Sequence, residues 1–255
     1  MQASPKPTIS HNGTAQAVFT VAVLGAESTG KSSLVQGVAA HANANGWTTA
    51  QTSEYLRDWV AQHQRTPLAH EQEAIALAQT QAGQQAWERL ATLDPIGFEY
   101  TPTSGAATGT NSTAQARAPR LLLLDTTAIM TAAYSAHYFD DHSLWACAFA
   151  AQPQPDVYLL MGLDLPWQAD GLQRDSVAVQ HQVDQHLRHA LTQHGCTFQT
   201  IYGSGTARVM AAWKAITAAR NTAPKPASNT LSYHALGCEG CADPDCERRL
   251  FRRLF

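Results

Sequence analysis

The chain has 255 residues, of which 44% are hydrophobic, and its formal net charge is −3 at pH 7. This length suits one α/β domain with appendages, or two small domains, and it can bury a sizeable core. The slightly acidic balance argues against a general nucleic-acid or membrane-surface binder, and no apolar run approaches the ~20 residues of a membrane span. Residues 1–16 are polar and lack the apolar core of a signal peptide, so we expect a disordered leader on a cytoplasmic protein.

A glycine-rich loop between a strand and a helix is the first strong signal along the chain. The apolar run 18–24 predicts a buried parallel strand, and a helical pattern runs from Lys31 to a C-cap at Asn45-Gly46. The loop between them reads Gly-x-x-x-x-Gly-Lys-Ser, the phosphate-binding loop (P-loop), whose backbone N–H groups and helix N-terminus attract phosphates. Its residues are Gly25, Ala26, Glu27, Ser28, Thr29, Gly30, Lys31, Ser32 and Ser33. We therefore expect a bound nucleoside triphosphate, with Lys31 reaching its β- and γ-phosphates and Ser32 ligating Mg²⁺.

Carboxylates follow two further predicted strands. The weaker strand 47–53 leads to Glu54 at its carboxyl end, where open α/β sheets bind ligands. Glu54 could act as the general base that a small-molecule kinase needs, or serve as a helix N-terminal acid. Arg57, one turn later, could contact Glu54 or a phosphate, or form a surface ion pair. The apolar strand 121–125 resembles a Walker B strand, so Asp125 is predicted to hold Mg²⁺, the alternative being a helix cap.

Two segments separate these strands. A long helical pattern runs over 67–90, and residues 94–120 then lose periodicity and become rich in Gly, Thr, Ser, Pro and Ala. A structureless stretch of this length is a flexible surface insertion or a mobile lid. The insertion is favoured, because Arg117 and Arg120 are the only residues there that suit phosphate chemistry.

The second half of the chain continues the alternation of strands and helices. Strands are predicted over 157–161 and 198–202, and helices after Asp125, over 142–151, and along two apolar faces. Those faces comprise Val179, Val183, Leu187 and Leu191, and then Val209, Met210, Trp213 and Ile216. The whole pattern predicts a mainly parallel five-stranded sheet flanked by helices, with right-handed crossovers.

Several side chains in this half have both a functional and a plain interpretation. Tyr134, Tyr138 and Trp167 could stack a planar or cationic ring, or could pack in the core. Arg174 could close a lid over the transferred phosphate, or could be a solvated loop residue. A group of histidines is interpreted as the solvated face of a helix rather than a metal site, and it consists of His181, His186, His189 and His194.

A series of motifs then resembles a known family. In order, they are the P-loop, Ser53-Glu54-Tyr55-Leu56-Arg57-Asp58, Ile75-Ala76 with Gln79, Leu124-Asp125-Thr126, and Asp164-Leu165-Pro166-Trp167 with Asp170-Gly171-Leu172. This series resembles the nicotinamide-riboside kinase domain of NadR-type proteins, within the AAA-like P-loop ATPases. The resemblance implies a P-loop NTPase fold, use of ATP and Mg²⁺, and phosphorylation of the 5′-hydroxyl of nicotinamide riboside to nicotinamide mononucleotide, a step of NAD biosynthesis.

We accordingly expect a kinase domain over 17–220 that binds a small nucleoside-like substrate. The expected catalytic residues are Lys31, Glu54, Arg57, Asp125 and Arg174, and the expected substrate contacts are Glu54, Tyr55, Asp125, Tyr134, Tyr138 and Trp167. Two other classes of protein remain open at this point. One is a P-loop ATPase or GTPase that couples hydrolysis to a protein partner, and the other is a non-enzymatic nucleotide sensor.

Residues 221–255 read as a linker followed by a cysteine-rich tail. The spacing of four side chains in the tail could enclose one structural Zn²⁺, namely His234, Cys238, Cys241 and Cys246. Free thiols or a redox site are the alternatives in a reducing compartment. The amphipathic end 247–255 could dock on its own domain or on a second subunit, so a homo-oligomer is one expectation.

Overall fold

The computed structural model describes residues 18–93, 118–168 and 176–222. Within these ranges the strands are β1 (Val18–Leu24), β2 (Thr48–Thr52), β3 (Arg120–Asp125), β4 (Val157–Met161) and β5 (Phe198–Ile201). The helices are α1 (Lys31–Ala44), α2 (Tyr55–His63), α3 (Gln72–Thr92), α4 (Ala128–Phe139), α5 (Trp145–Ala150), α6 (Val177–Gln193) and α7 (Gly205–Thr222). The predicted helix 67–90 thus begins at Gln72, after a short 3₁₀ turn over Ala69–Glu71.

The five described strands form one sheet in the order β2-β3-β1-β4-β5. All four neighbouring pairs are parallel, which confirms the predicted five-stranded parallel sheet. Strands β1, β3 and β4 are buried along their whole length, whereas the edge strand β2 is buried only at Thr52. Because an edge strand needs fewer apolar residues, β2 had the weaker sequence pattern. The chain passes to opposite sides of β1 in its two halves, and such a switch point marks the ligand crevice of an open α/β sheet.

Helices cover both faces of the sheet. Val21 and Val23 of β1 pack with α1 and α7 on one face, while Ala22 and Leu24 pack with α4 and α6 on the other. Successive side chains of a strand point to opposite faces, so the unbroken apolar pattern of β1 reflects burial on both sides. A smaller apolar cluster around Leu90 packs the end of α3 against the sheet.

Two residues differ from their predicted environments. Arg120, assigned to the insertion, is the first residue of β3 and is buried. Its guanidinium donates to the carbonyl oxygen of Ala91 at 2.7 Å and to that of Leu93, so it joins the end of α3 to the sheet. Met210 was predicted in the core and is 44% exposed, whereas Arg208 occupies the buried face of α7. Both errors arise because an arginine can be buried when its guanidinium reaches carbonyl acceptors.

The remaining described features concern the histidines and the membrane. His181 and His189 are exposed on α6, His186 is half-buried there, and His194 is exposed directly after the end of that helix. No group of three His, Cys, Asp or Glu side chains within the described ranges is arranged to hold a metal ion. Among the same residues, none of the helices combines the length and hydropathy of a membrane span. The leader, most of the insertion (94–117), Arg174 and the cysteine tail lie outside the described residues.

Candidate functional site

The P-loop connects the carboxyl end of β1 to the first residue of α1. A Cβ at Gly25 would lie 2.7 Å from the Cβ of Met161, so only glycine fits beside β4. Gly30 has φ 78°, a left-handed conformation in which glycine is unstrained. The loop therefore turns tightly enough to leave the N-terminus of α1 open to a ligand, where helix amide groups and the helix dipole attract phosphate.

Lys31 lies inside the loop that it belongs to. Its Nζ donates to the carbonyl oxygens of Gly25 at 2.7 Å and Ala26 at 3.1 Å, and the residue is 6% exposed. These two hydrogen bonds hold the buried Nζ group of Lys31 against the backbone of the loop. The side chain is thus held where it can reach an anion bound by the P-loop.

A second group of polar side chains meets the P-loop at Ser32. Glu54 precedes α2, is 7% exposed, and its Oε2 accepts a hydrogen bond from Arg57 Nη2 at 2.7 Å. Arg57 Nη1 donates to the hydroxyl of Ser32 at 3.1 Å. Three side chains that the sequence singled out separately, on different elements, therefore form one connected network.

Asp125 completes this network at the end of β3. It is 5% exposed, and its burial raises the pKa of the carboxyl group, while a hydrogen bond from Ser32 and the charge of Lys31 lower it. Within the described part of the chain, no donor reaches Oδ1 of Asp125. The next residue, Thr126, has φ 70°, a strained conformation for a β-branched side chain of the kind that clusters at functional sites. A buried carboxylate oxygen without a donor beside a serine hydroxyl is a fitting donor set for Mg²⁺.

A cavity of about 780 Å³ opens at the P-loop. The P-loop, Glu54 and Arg57 form part of its lining, and apolar and aromatic side chains form another part, among them Leu56, Leu68, Tyr134, Tyr138 and Phe139. The rings of Tyr134 and Tyr138 are stacked, with centroids 6.3 Å apart and an interplanar angle of 29°. Burial raises the pKa of Tyr134 well above its ordinary value, and nearby Glu54 and Glu27 add to this effect, so the phenol stays neutral.

Two other predicted site residues lie elsewhere, and a third cannot be placed from the described residues. Tyr55 and Trp167 do not line this cavity, and Arg174 is outside the described residues. The backbone N–H of Tyr55 instead donates to Oε1 of Gln79 at 2.7 Å, and Nε2 of Gln79 donates to the carbonyl oxygen of Ser53 at 3.2 Å. Gln79 therefore braces the turn that positions Glu54.

Sequence reasoning missed three polar residues around the site and did not distinguish a fourth from the rest of the P-loop. Glu27 and Gln72 line the cavity although they are 7% and 4% exposed, and Gln180 and Arg208 donate to P-loop carbonyl groups. Glu27 was named only as a loop position. The other three occupy apolar helix faces, since each falls three, four, seven or eight positions from buried neighbours of its own helix. A polar residue inside such an apolar stripe is the signal that could have identified them.

The fold and the site together define the class of the protein. A glycine loop at the switch point of a parallel sheet, a lysine and serine opening the next helix, and an aspartate ending a neighbouring strand define a P-loop NTPase fold. The sequence model described as "AAA domain" (AAA_28) matches residues 20–208, well over half of the chain. The chain therefore belongs to the AAA domain family. No curated protein matches it significantly in sequence.

Solved structures share this fold at low sequence identity. Two are of NadR, one in complex with NAD and AMP-PNP and one with NR. Each is 17% identical, covers 82% and 83% of this chain, and has a TM-score of 0.55 and 0.57 respectively. The chain spans 52% of each NadR chain, about half its length. Thymidylate kinase from Ehrlichia chaffeensis is 10% identical, with 78% of this chain and 98% of its own covered at a TM-score of 0.50. The expected likeness to the NadR-type kinase domain is thus confirmed as a likeness of fold.

Proposed function

We propose that the protein is an ATP-dependent kinase of a small nucleoside, with nicotinamide riboside as the acceptor. The observation that carries this proposal is the common cavity of the P-loop and the buried carboxylate of Glu54. A triphosphate on the P-loop and a hydroxyl beside Glu54 would share one space. An NTPase that only hydrolyses its nucleotide needs no room for an acceptor, whereas this cavity of about 780 Å³ extends from the P-loop past Glu54 to aromatic side chains that would suit a nucleoside.

The reaction would be an in-line transfer of the γ-phosphoryl group. The 5′-hydroxyl oxygen of the acceptor forms a bond to the γ-phosphorus, the bond from that phosphorus to the β–γ bridging oxygen breaks, and ADP leaves. The hydroxyl proton would pass to the carboxylate of Glu54, a residue that lines the cavity. Lys31 would neutralise charge on the β- and γ-phosphates as it accumulates during transfer.

Ser32 and Asp125 would hold Mg²⁺, as their donor chemistry fits this ion. Bound Mg²⁺ supplies positive charge that neutralises the β- and γ-phosphate oxygens. Arg57 is already bonded to the Ser32 hydroxyl and to Glu54. With its side chain half exposed, it is free to turn toward a phosphate. Such a turn would release Glu54 from its ion pair and leave its Oε2 free to accept a hydrogen bond from the acceptor hydroxyl.

The wall of the cavity favours a flat cationic ring as the acceptor's base. Tyr134 and Tyr138 present a stacked aromatic surface, and a ring cation is attracted to such π faces. Glu27 contributes a further, largely buried carboxyl group to the lining of the same cavity, whereas the charge of Glu54 is paired with Arg57. The nicotinamide ring of nicotinamide riboside is planar and positively charged, whereas pyrimidine bases are neutral. The NadR structure in complex with NR is consistent with this acceptor class.

The test is a product assay with the purified full chain. Mg²⁺-ATP is incubated with nicotinamide riboside, nicotinate riboside, thymidine and uridine, and nucleoside monophosphates are quantified by mass spectrometry. We expect nicotinamide mononucleotide to form fastest, and Lys31→Ala to abolish its formation. ATP hydrolysis without any phosphorylated nucleoside would refute the kinase proposal and favour an ATPase that acts on a protein partner. Tight ATP binding without turnover would instead favour a sensor.

A further inference from the structure

Besides Lys31, three side chains donate to carbonyl groups of the P-loop, and two of them, Gln180 and Arg208, do not line the cavity. Thr29 Oγ1 donates to the carbonyl oxygen of Ala26 at 2.7 Å. Nε2 of Gln180, on α6, donates to the carbonyl oxygen of Glu27 at 2.7 Å. Nη1 of Arg208, on α7, donates to the carbonyl oxygen of Thr29 at 2.9 Å. Two of these donors are more than 150 residues away from the loop in sequence.

Each bond fixes the direction of a backbone N–H group as well as that of a carbonyl. A peptide unit is planar and, when trans, its C=O and N–H point in opposite directions. The only cis peptide bond among the described residues is Gln152–Pro153. Holding the carbonyl of Glu27 outward therefore aims the N–H of Ser28 the other way, and holding that of Thr29 does the same for Gly30. Inward-facing N–H groups of this loop are the ones that bind phosphate oxygens.

Both remote donors are themselves held in place. Gln180 is 3% exposed, in the first turn of α6, on the same helix face as the buried residues Val183 and Leu187. Arg208 is 4% exposed, and its Nη2 donates to Asp164 Oδ1 at 2.9 Å. The same nitrogen donates to the carbonyl oxygens of Gly162 and Ile201, each at 3.2 Å. The guanidinium thus joins the ends of β4 and β5 to the P-loop.

We propose that Gln180 and Arg208 are positioning residues that preset the P-loop amides for phosphate. They do not touch the nucleotide; they act through the peptide units of the loop. The inference rests on the phosphate-binding role of the P-loop in the proposed function, and not on which nucleoside accepts the phosphate. A purely structural role would lower stability without a selective effect on phosphate affinity, and this difference makes the proposal testable.

The experiment compares glutamine-to-methionine substitutions at two positions of α6. Gln180→Met keeps the length of the side chain and removes its donor, and Gln185→Met is the control because Gln185 is exposed on the same helix. Affinities for Mg²⁺-ATP and for inorganic tripolyphosphate are measured by titration calorimetry on the full chain. We expect Gln180→Met to bind both about tenfold more weakly, the scale of one impaired hydrogen bond to a charged group. The Gln185→Met protein should match the wild type.

Two further variants keep the test decisive. Gln180→Glu places a carboxylate against the carbonyl oxygen of Glu27, so it should weaken tripolyphosphate binding more than Gln180→Met does. Arg208→Lys keeps the charge but loses the forked guanidinium, so we expect it to bind both ligands more weakly than the wild type by more than about twofold and less than about tenfold. This variant decides the question if the Gln180 variants do not fold. Thermal melting establishes that each protein is folded before its affinities are compared.

The result that overturns the proposal is equally specific. Folded Gln180→Met or Arg208→Lys that binds tripolyphosphate and Mg²⁺-ATP within twofold of the wild type would show that these residues only stabilise the fold. Tripolyphosphate binding needs no acceptor, so this test is separate from the proposed function. A chain that phosphorylates no nucleoside would refute the kinase proposal alone, and unchanged tripolyphosphate affinity would refute the positioning role even in an active kinase.

Discussion

Replacing Glu54 by glutamine separates its role as a base from its role in packing. Glutamine has nearly the same volume and can still accept the hydrogen bond that Arg57 donates at 2.7 Å. It cannot accept a proton from a substrate hydroxyl. We expect turnover to fall by about 10²- to 10⁴-fold, the usual contribution of a general base, while the dissociation constant of ATP stays within about twofold of the wild-type value.

Unfolding cannot account for a rate loss of this size, because the substitution costs little folding free energy. A 10²- to 10⁴-fold drop corresponds to about 3–5 kcal/mol of transition-state stabilisation. The ion pair between Glu54 and Arg57 is 50% exposed on the arginine side, so its loss should cost at most about 1 kcal/mol of folding free energy. Domains of ordinary stability, about 5–15 kcal/mol, remain folded after such a loss.

The assay measures initial rates with nicotinamide riboside and Mg²⁺-ATP, alongside ATP binding by calorimetry. Asp184→Asn is the matched control, because Asp184 is similarly buried and accepts from Arg188 at 2.7 Å away from the cavity. Its turnover should be unchanged. If Glu54→Gln retained more than a tenth of wild-type turnover, Glu54 would not be the base. Equal losses of turnover and ATP affinity would make it a structural or metal-binding residue.

Three further predictions concern the metal, the acceptor and the tail. Burial raises the pKa of Asp125, so its ionisation destabilises the fold as pH rises through the folded-state pKa. Asp125→Asn should accordingly raise the melting temperature at pH 7 but leave it unchanged below pH 3.8, the ordinary pKa of an aspartate. The same substitution should raise the Mg²⁺ concentration needed for activity. A melting temperature at pH 7 that is lower than that of the wild type would contradict the predicted sign. Tyr138→Leu should raise KM for nicotinamide riboside several-fold with little change in kcat, since a cation over an aromatic face gains about 0.5–2 kcal/mol. Tyr138→Phe keeps the ring and should leave KM unchanged. Equal KM values in the two variants would exclude ring stacking at this position. If the cysteine tail binds Zn²⁺, deleting residues 226–255 should remove about one zinc per chain, as measured by elemental analysis. If the full-length protein, purified under reducing conditions without a chelator, contains no metal, the zinc hypothesis is wrong.

Much of the fold could be predicted because its signals are local. The apolar run of β1 and the glycine spacing of the P-loop each depend on adjacent residues, and both are placed as expected. Strand β3 and the aspartate that ends it were equally clear from five consecutive residues. Boundaries were less certain where a charged residue is buried, as Arg120 shows at the start of β3.

The candidate site could be predicted only in part. The sequence marked Lys31, Glu54, Arg57 and Asp125 individually, because residue type and position after a strand are enough to suggest phosphate chemistry. It left open whether Arg57 contacts Glu54, and the structure places the two 2.7 Å apart. Tyr55 was expected among the substrate contacts, but it opens α2 without lining the cavity, and its backbone N–H donates to Gln79.

The sequence by itself determined the chemistry at the phosphate end of this protein, because the P-loop binds through its own backbone and needs only a contiguous pattern of glycines, lysine and serine. Tertiary structure alone decided which distant side chains support that loop. Gln180 and Arg208 reach the carbonyl groups of Glu27 and Thr29 only because α6 and α7 pack beside the carboxyl ends of β1, β4 and β5. No local pattern encodes a hydrogen bond across more than 150 residues, since its geometry depends on how whole helices pack against the sheet.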